Sequence, residues 1–306
     1  MIPNLQGLIE EARSGTVRRV AVAAAEDEHV LKAVQEALAR GVATPLLVGD
    51  KEKVRAIARE IGLSLEGIEI VNNREGAAIS ARLAVNKIRS GDADFLMKGF
   101  VSTGELLKAV LDKEEGLRSG QLLSHVAFFQ SPYYHKVLCV TDAAMNIAPG
   151  LDEKAAIIGN AVAACHRLGI EHPKVAVAAA VETVNPKMEA TLHAAKLKEM
   201  NQNGTLSGCI VDGPFAIDIA VNRKAARNKG IESEVAGDSD VILVPDIEAG
   251  NMFYKALNFL GGAVSAAVVM GASVPIVLTS RSDDERSKLL SIALAACIGR
   301  RYPVSK

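Results

Sequence analysis

The chain reads as an α/β protein of two domains, built on mostly parallel sheets with helices on both faces. Three observations predict this. Short apolar runs with strand character alternate with helical spacings from end to end. At 306 residues the chain exceeds one ordinary domain. One antiparallel signal near the middle interrupts an otherwise parallel pattern, which marks a second sheet.

MIPNLQGLIEEARS opens as an amphipathic helix carrying acids, unlike a signal peptide. RRVAVAAA (18–25) is an apolar strand, and helical spacing follows from Glu28 to Arg40. ATPLLVG (43–49) is the next strand, with a helix from Lys51 to Ile61. GIEIV (67–71), a helix at about 75–90 and ADFLMKG (93–99) continue the rhythm, and Ser102 to Leu111 is again helical. Strands separated by such helices form βαβ units with right-handed crossovers.

HVAFFQSPYYHKVLCVTDAAMN (125–146) changes the pattern, with two strand-like runs around a turn at Ser131-Pro132. It holds the densest aromatic cluster, Phe128, Phe129, Tyr133 and Tyr134, and predicts a boundary near 120–130. Helices at 152–168, 186–201 and about 216–228 then alternate with strands at 174–180, 207–212 and 240–244. A helix from Asn251 to Leu260 precedes AAVVMG and PIVLTS. In the last of these, Val274 to Leu278 feeds a helix with Leu289, Leu290, Ala293, Ala296 and Cys297 as its apolar positions.

Hydrophobic residues make up 49% of the chain but aromatics only 4%, so Ala, Val, Leu and Ile build the core. The balance of 35 basic and 36 acidic residues shows no basic stripe for nucleic acid. No apolar run reaches the roughly 18 residues of a membrane span. Cys139, Cys165, Cys209 and Cys297 lie far apart in apolar surroundings, which predicts buried thiols and a cytoplasmic protein. The six histidines form no close ligand pair, so no metal site is expected. There is no G-x-S-x-G elbow, no phosphate-loop signature and no convincing G-x-G-x-x-G.

Ligands of open α/β sheets bind beyond the carboxyl ends of strands, so polar residues there carry the functional question. Thr279-Ser280-Arg281-Ser282 stands where a strand meets a helix, a position suited to an anion, and Arg281 offers a planar fork of donors. The same serines, followed by Asp283, Asp284 and Glu285, also read as an ordinary helix cap. At MKGFVST, Lys98 closes a strand and invites an anionic partner, while Ser102 to Glu105 matches a capping box. Asp142 and Asn146 follow another strand as ligand groups or as cap and turn. Asp212 and Asp218 stand at and beyond a fourth, where Asp218 is flanked by apolar residues. In VPDIEAGN the Gly250-Asn251 pair is read as a helix start with backbone N–H groups for a ligand, or as a cap. His125, beside Ser124 at the boundary, is either functional or a hydrogen-bonded wall residue.

Taken together, VDGP, SEVAG, PDIEAGN with its later YK, and LTSR resemble the phosphate acyltransferase family, closest to its butyryl branch. KGFVSTGELLKAV, LSHVAFF and VTDAAMNIAP extend the resemblance over nearly the whole chain. It implies a fold similar to the isocitrate and isopropylmalate dehydrogenases. The first domain would then be 1–126 plus 268–306, with 127–267 inserted and the active site in the cleft. It also implies acyl transfer between coenzyme A and inorganic phosphate in a homodimer or larger homo-oligomer, with no resident cofactor or metal. Ser280 and Arg281 match the family's catalytic pair, for the tetrahedral transition state and the phosphate respectively. The family's aspartate seven residues beyond that serine is Ser287 here, so the base falls to Asp283 or Asp284. Lys98, Ser102, Thr103 and Arg118 are expected around phosphate, and Ser124, His125, Asp246, Glu248 and Asn251 complete the expected substrate-binding set. An acetyl-CoA-preferring enzyme, a nicotinamide-dependent decarboxylating dehydrogenase and a catalytically silent CoA- or phosphate-binding module are the rival expectations.

Overall fold

The computed structural model describes residues 4–279 and 284–299, and the chain divides into two compact units. One comprises Gln6–Gln121 with the chain from Ala266 onward, and the other comprises Leu122–Ser265 with the few residues before Gln6. The first division thus falls at 121/122 rather than after 126.

The first unit starts with α1 (Gly7–Arg13), β1 (Arg18–Ala23), α2 (Glu28–Ala39), β2 (Ala43–Gly49) and α3 (Lys51–Ile61). β3 (Glu69–Asn72), α4 (Ala77–Arg89), β4 (Phe95–Lys98) and α5 (Thr103–Val110) follow. β1, β2 and β4 are apolar and largely buried, as parallel strands covered on both faces must be. Asp27 caps α2 by accepting from Val30 N at 2.9 Å, and Asp50 caps α3 in the same way.

The second unit contains β5 (Ser124–Gln130), β6 (Leu138–Thr141), α6 (Leu151–Arg167), β7 (Lys174–Ala178) and α7 (Glu189–Gln202). β8 (Ile210–Phe215), α8 (Ile217–Val221), α9 (Arg223–Asn228), β9 (Val241–Leu243) and α10 (Ile247–Phe259) complete it. Its strands run β5-β6-β9-β7-β8, antiparallel only at the expected β5–β6 pair. The single helix expected at 216–228 is two, because Asn222 ends α8 and caps α9 through Lys224 N and Ala225 N. Asp218 is exposed on α8, 3.6 Å from Lys229 Nζ, so the cost of burying it does not arise. At the amino ends of β6, β7 and β9, Asp238 meets His135, Lys136, Lys174 and Arg223, while Asp240 holds Lys136 at 2.6 Å. Burial works to raise the Asp238 carboxyl, but the Lys174 and His135 hydrogen bonds outweigh it and hold the group well below the usual range.

β10 (Val264–Met270), β11 (Ile276–Val277) and α11 (Glu285–Gly299) complete the first unit, whose strands run β3-β2-β1-β4-β11-β10. β11 is parallel to β4, whereas β10 is antiparallel to β11. α11 packs on α1, α2, β11 and β4 and is buried from Ser287 to Ile298, a helix enclosed on every side. No helix among the described residues is long and apolar enough to cross a membrane. Cys209 is half-buried, while Cys139, Cys165 and Cys297 are buried as expected.

One backbone approach fixes where this sheet ends. The ladder between β1 and β4 continues past both strands, with Gly99 N donating to Ala23 O at 2.9 Å and Phe100 N to Ala24 O at 2.6 Å. A Cβ on Gly99 would collide with both carbonyl oxygens. Gly99→Ala is therefore expected to destabilise the fold by about 1–3 kcal/mol, the scale of forced backbone shifts. Chemical denaturation measures this, and an unchanged midpoint would show that the contact is dispensable.

Candidate active site at the strand ends

Beyond the carboxyl ends of β1, β4 and β11 lies a cavity of about 230 Å³ lined by Asp27, His29, Val30, Lys98, Gly99, Phe100, Thr279 and Lys288. Each element delivers its part. Lys98 is the half-buried last residue of β4, with Nζ 3.4 Å from Gly99 O. Thr279 follows β11 by two residues and is buried. Lys288, in the first turns of α11, is only 4% exposed. Asp27 and His29 come from the start of α2, where Asp27 is occupied as the cap.

Ser102 and Thr103 stand at the adjoining helix start. Ser102 takes the capping role: its hydroxyl donates to Glu105 Oε2 at 2.7 Å and accepts from Glu105 N at 3.2 Å. The hydroxyl hydrogen bond, with the backbone one beside it, holds the Glu105 carboxyl below its usual range. Ser102 and Glu105 also line a second cavity of about 570 Å³ with Glu26, Lys53 and Phe100. Thr103 opens α5 behind them. Arg118 is exposed and outside both sets of lining residues; its backbone pairs with Ala272. Asp284 is exposed and accepts from Ser287 N at 2.6 Å, a cap geometry for α11. Ser280, Arg281 and Asp283 lie outside the described residues, directly after Thr279 in sequence.

The other expected residues belong to the second unit. Ser124 is fully buried and accepts from Asn160 Nδ2 at 2.8 Å, a packing role. His125 is buried with its ring 5.7 Å from that of Tyr254. Tyr254 also meets Phe129 at 5.1 Å, and Phe128, Phe129 and Tyr254 are all buried in the core. Asp142 is buried and accepts from three successive backbone N–H groups and from Asn146 Nδ2 at 2.6 Å, as a turn-forming acid does. Asp212 is likewise occupied, by Ser233 Oγ and Lys198 Nζ, each at 2.6 Å.

The helix expected to begin at Asn251 begins four residues earlier, because Asp246 caps it through Ala249 N at 2.8 Å. Gly250 and Asn251 are therefore inside α10, and their N–H groups do not form an open helix start. Gly250 is required there for packing, since a Cβ would press on Asp142 O and Ala143 Cα. Asn251 donates to Ala143 O at 3.4 Å, and Glu248 is exposed.

Asp246 also lines a cavity of about 450 Å³, mostly apolar, with Met188, Glu189, Ile217, Val244 and Phe253. Behind it, Lys154 is 3% exposed, with Nζ 3.0 Å from His193 Nδ1. Burial pulls the Lys154 ammonium below its usual value, while the carboxylates of Glu189 and Asp246 oppose that shift. Burial, then Lys154 itself, lowers His193 as well.

Lys288, Asp27 and His29 were not singled out from sequence. The usable signal for Lys288 was a lysine directly before Leu289 and Leu290, on the buried stretch of the last helix.

Comparison with known proteins bears on the chemistry. The family model described as "Phosphate acetyl/butaryl transferase" matches residues 5–82 and 74–296. A phosphate butyryltransferase of Clostridium acetobutylicum is 45% identical over 97% of this chain and 99% of its own length. A phosphate acetyltransferase of Thermotoga maritima is also 45% identical, over 95% and 98%. The crystal structure of a branched-chain phosphotransacylase from Enterococcus faecalis V583 superposes with a TM-score of 0.80 at 31% identity, over 92% of this chain and 99% of that one.

The buried lysine gives a stability test. A lysine whose folded pKa is depressed binds fewer protons than in the unfolded chain between the two values, so stability rises with pH there. At neutral pH the full cost of the buried charge is present. Lys154→Met is expected to raise Tm at pH 7 by roughly 2–4 °C, the scale of 1 kcal/mol in a domain of moderate size. That gain should shrink as pH approaches 10. A lower Tm for the variant at pH 7 would show that the ammonium is well compensated.

Proposed function

The chain belongs to the phosphate acetyl/butaryl transferase family, and we propose that it moves a short-chain acyl group between coenzyme A and inorganic phosphate. Near-full-length identity to transferases of that reaction carries this conclusion. The decarboxylating-dehydrogenase alternative is not favoured.

In the forward direction a phosphate oxygen attacks the thioester carbonyl carbon. A C–O bond forms through one tetrahedral oxyanion, the C–S bond breaks, and the CoA sulfur leaves as thiolate and takes a proton. No covalent enzyme intermediate is needed, so catalysis rests on placing two anionic partners and on donors aimed at developing charge. Ser280 would donate to the oxyanion and Arg281 would hold phosphate bidentately. Asp283 or Asp284 would take the thiol proton in the reverse direction. The cavity bearing Lys98 and Thr279 supports this placement, because it adjoins Ser280 in the chain. Coenzyme A enters as substrate, and no metal or resident cofactor has a role. A two-domain arrangement like that of the isocitrate and isopropylmalate dehydrogenases, with catalysis in the cleft, belongs to the same proposal. So do a cytoplasmic location and a homodimer or larger homo-oligomer.

Equal identity to a butyryl- and an acetyltransferase leaves acyl length to the pocket. We place butyryl-CoA ahead of acetyl-CoA, as the sequence resemblance to the butyryl branch implies.

Phosphate-dependent release of CoA thiol from butyryl-CoA tests the activity. Ser280→Ala and Arg281→Gln are each expected to lower its rate by roughly tenfold or more, as removal of a charge-stabilising donor does. Near-normal turnover in both would overturn the assignment of these two residues. Turnover of acetyl-CoA above that of butyryl-CoA would reverse the acyl preference.

A further inference from the structure

We propose that the outward face of α10 binds a second copy of this chain, α10 against α10, antiparallel about a two-fold axis. The inference deepens the homo-oligomer part of the function proposed above, on which it rests for the choice of partner, by assigning the face.

α10 is more apolar than its place in one chain requires. Eight of its thirteen residues are apolar, yet its buried residues are Gly250 and Tyr254, whereas α11 is buried at twelve of fifteen positions. A helix that apolar needs cover on more than one side. Gly250 and Tyr254, one turn apart, mark the inward side, where Tyr254 meets Phe129 and His125. Ala249, Met252, Phe253, Ala256, Phe259 and Leu260, which ends the helix, stand at i, i+3, i+4, i+7, i+10 and i+11. That spacing is one continuous stripe, the pattern by which one helix packs on another. Met252 is 67% exposed, Phe259 63% and Leu260 88%, and the other three are partly exposed. Glu248 and Lys255 border the stripe on one side as a polar rim. All of these residues belong to the second unit.

The area and the order of sizes both fit a second copy. At about 200 Å² for a large apolar side chain, Met252, Phe259 and Leu260 leave roughly 400 Å² of apolar surface in the open. A stable interface takes roughly 800 Å² from each partner, a little over half of it apolar, so the stripe supplies about one side of a dimer. From Ala249 to Leu260 the stripe runs small, large, large, small, large, large. Antiparallel pairing then sets each alanine against a large side chain: Ala249 against Leu260 of the partner subunit, and Ala256 against the partner's Phe253. Met252 meets the partner's Phe259, a thioether on a ring. Such an interface is self-complementary, and each contact is made twice. Ala249 and Phe253 also line the second unit's apolar cavity, so the pairing seats the partner's Leu260 at its edge.

Sedimentation velocity over a range of protein concentrations tests this on the full chain. Wild type should sediment at two chain masses or an even multiple. Met252→Glu and Phe259→Glu should each raise the dissociation constant by about thirtyfold or more, the scale of losing a hot-spot side chain. Tyr133→Glu, at a position 87% exposed but off the stripe, should leave it within about twofold. Should a glutamate variant fail to fold by circular dichroism, Phe259→Ala decides in its place, with a rise of about tenfold expected and an unchanged constant overturning the face. A wild type that sediments as a single chain overturns the face and the homo-oligomer together and leaves acyl transfer standing. An oligomeric wild type whose dissociation constant survives both Met252→Glu and Phe259→Glu overturns the face alone.

Discussion

The junction between the ends of β1 and β4 is the constraint on which the candidate site depends. Two backbone hydrogen bonds carry the parallel ladder beyond Ala23 and Lys98, so the chain leaving β4 lies directly on the chain leaving β1. Only glycine fits at position 99. That contact stops β4 with Lys98 at the cavity edge and turns Phe100 between two cavities. β11 lies on the other side of β4, which brings Thr279 to the same level. The candidate site is thus a consequence of where three strands run out, with Lys288 of α11 lining the same cavity.

Much of the architecture was legible in the sequence because its signals are local. β2 and α3 have the predicted bounds, since Asp50 both ends the strand and caps the helix. The antiparallel pair β5–β6 followed from Ser131-Pro132 between two apolar runs. The departures have local causes that only coordinates reveal. Asp246 captures Ala249 N and starts α10 early, and Asn222 divides one helical stretch into two. The antiparallel setting of β10 against β11 was not visible, because two short apolar strands carry no signal of direction.

The site was only partly legible. Strand-end logic found Lys98, which does line a cavity, and it found Ser102 and Asp142, whose polar atoms are spent on caps and turns. A capping residue and a ligand-binding residue share the same chemistry, so sequence alone leaves both readings open. Ser124 and His125 drew attention by type and position, yet they are packed into the second unit's interior. Lys288 escaped notice for the opposite reason. A lysine in a helical sequence reads as a solvated face, and only the enclosure of α11 makes it exceptional.

The central claim is that phosphate belongs at the ends of β1, β4 and β11. A crystal structure of the enzyme grown with inorganic phosphate and coenzyme A tests it most directly. Phosphorus density in the cavity that Lys98 and Thr279 line is the predicted result. Phosphate held at another set of residues, with only water in that cavity, would contradict it.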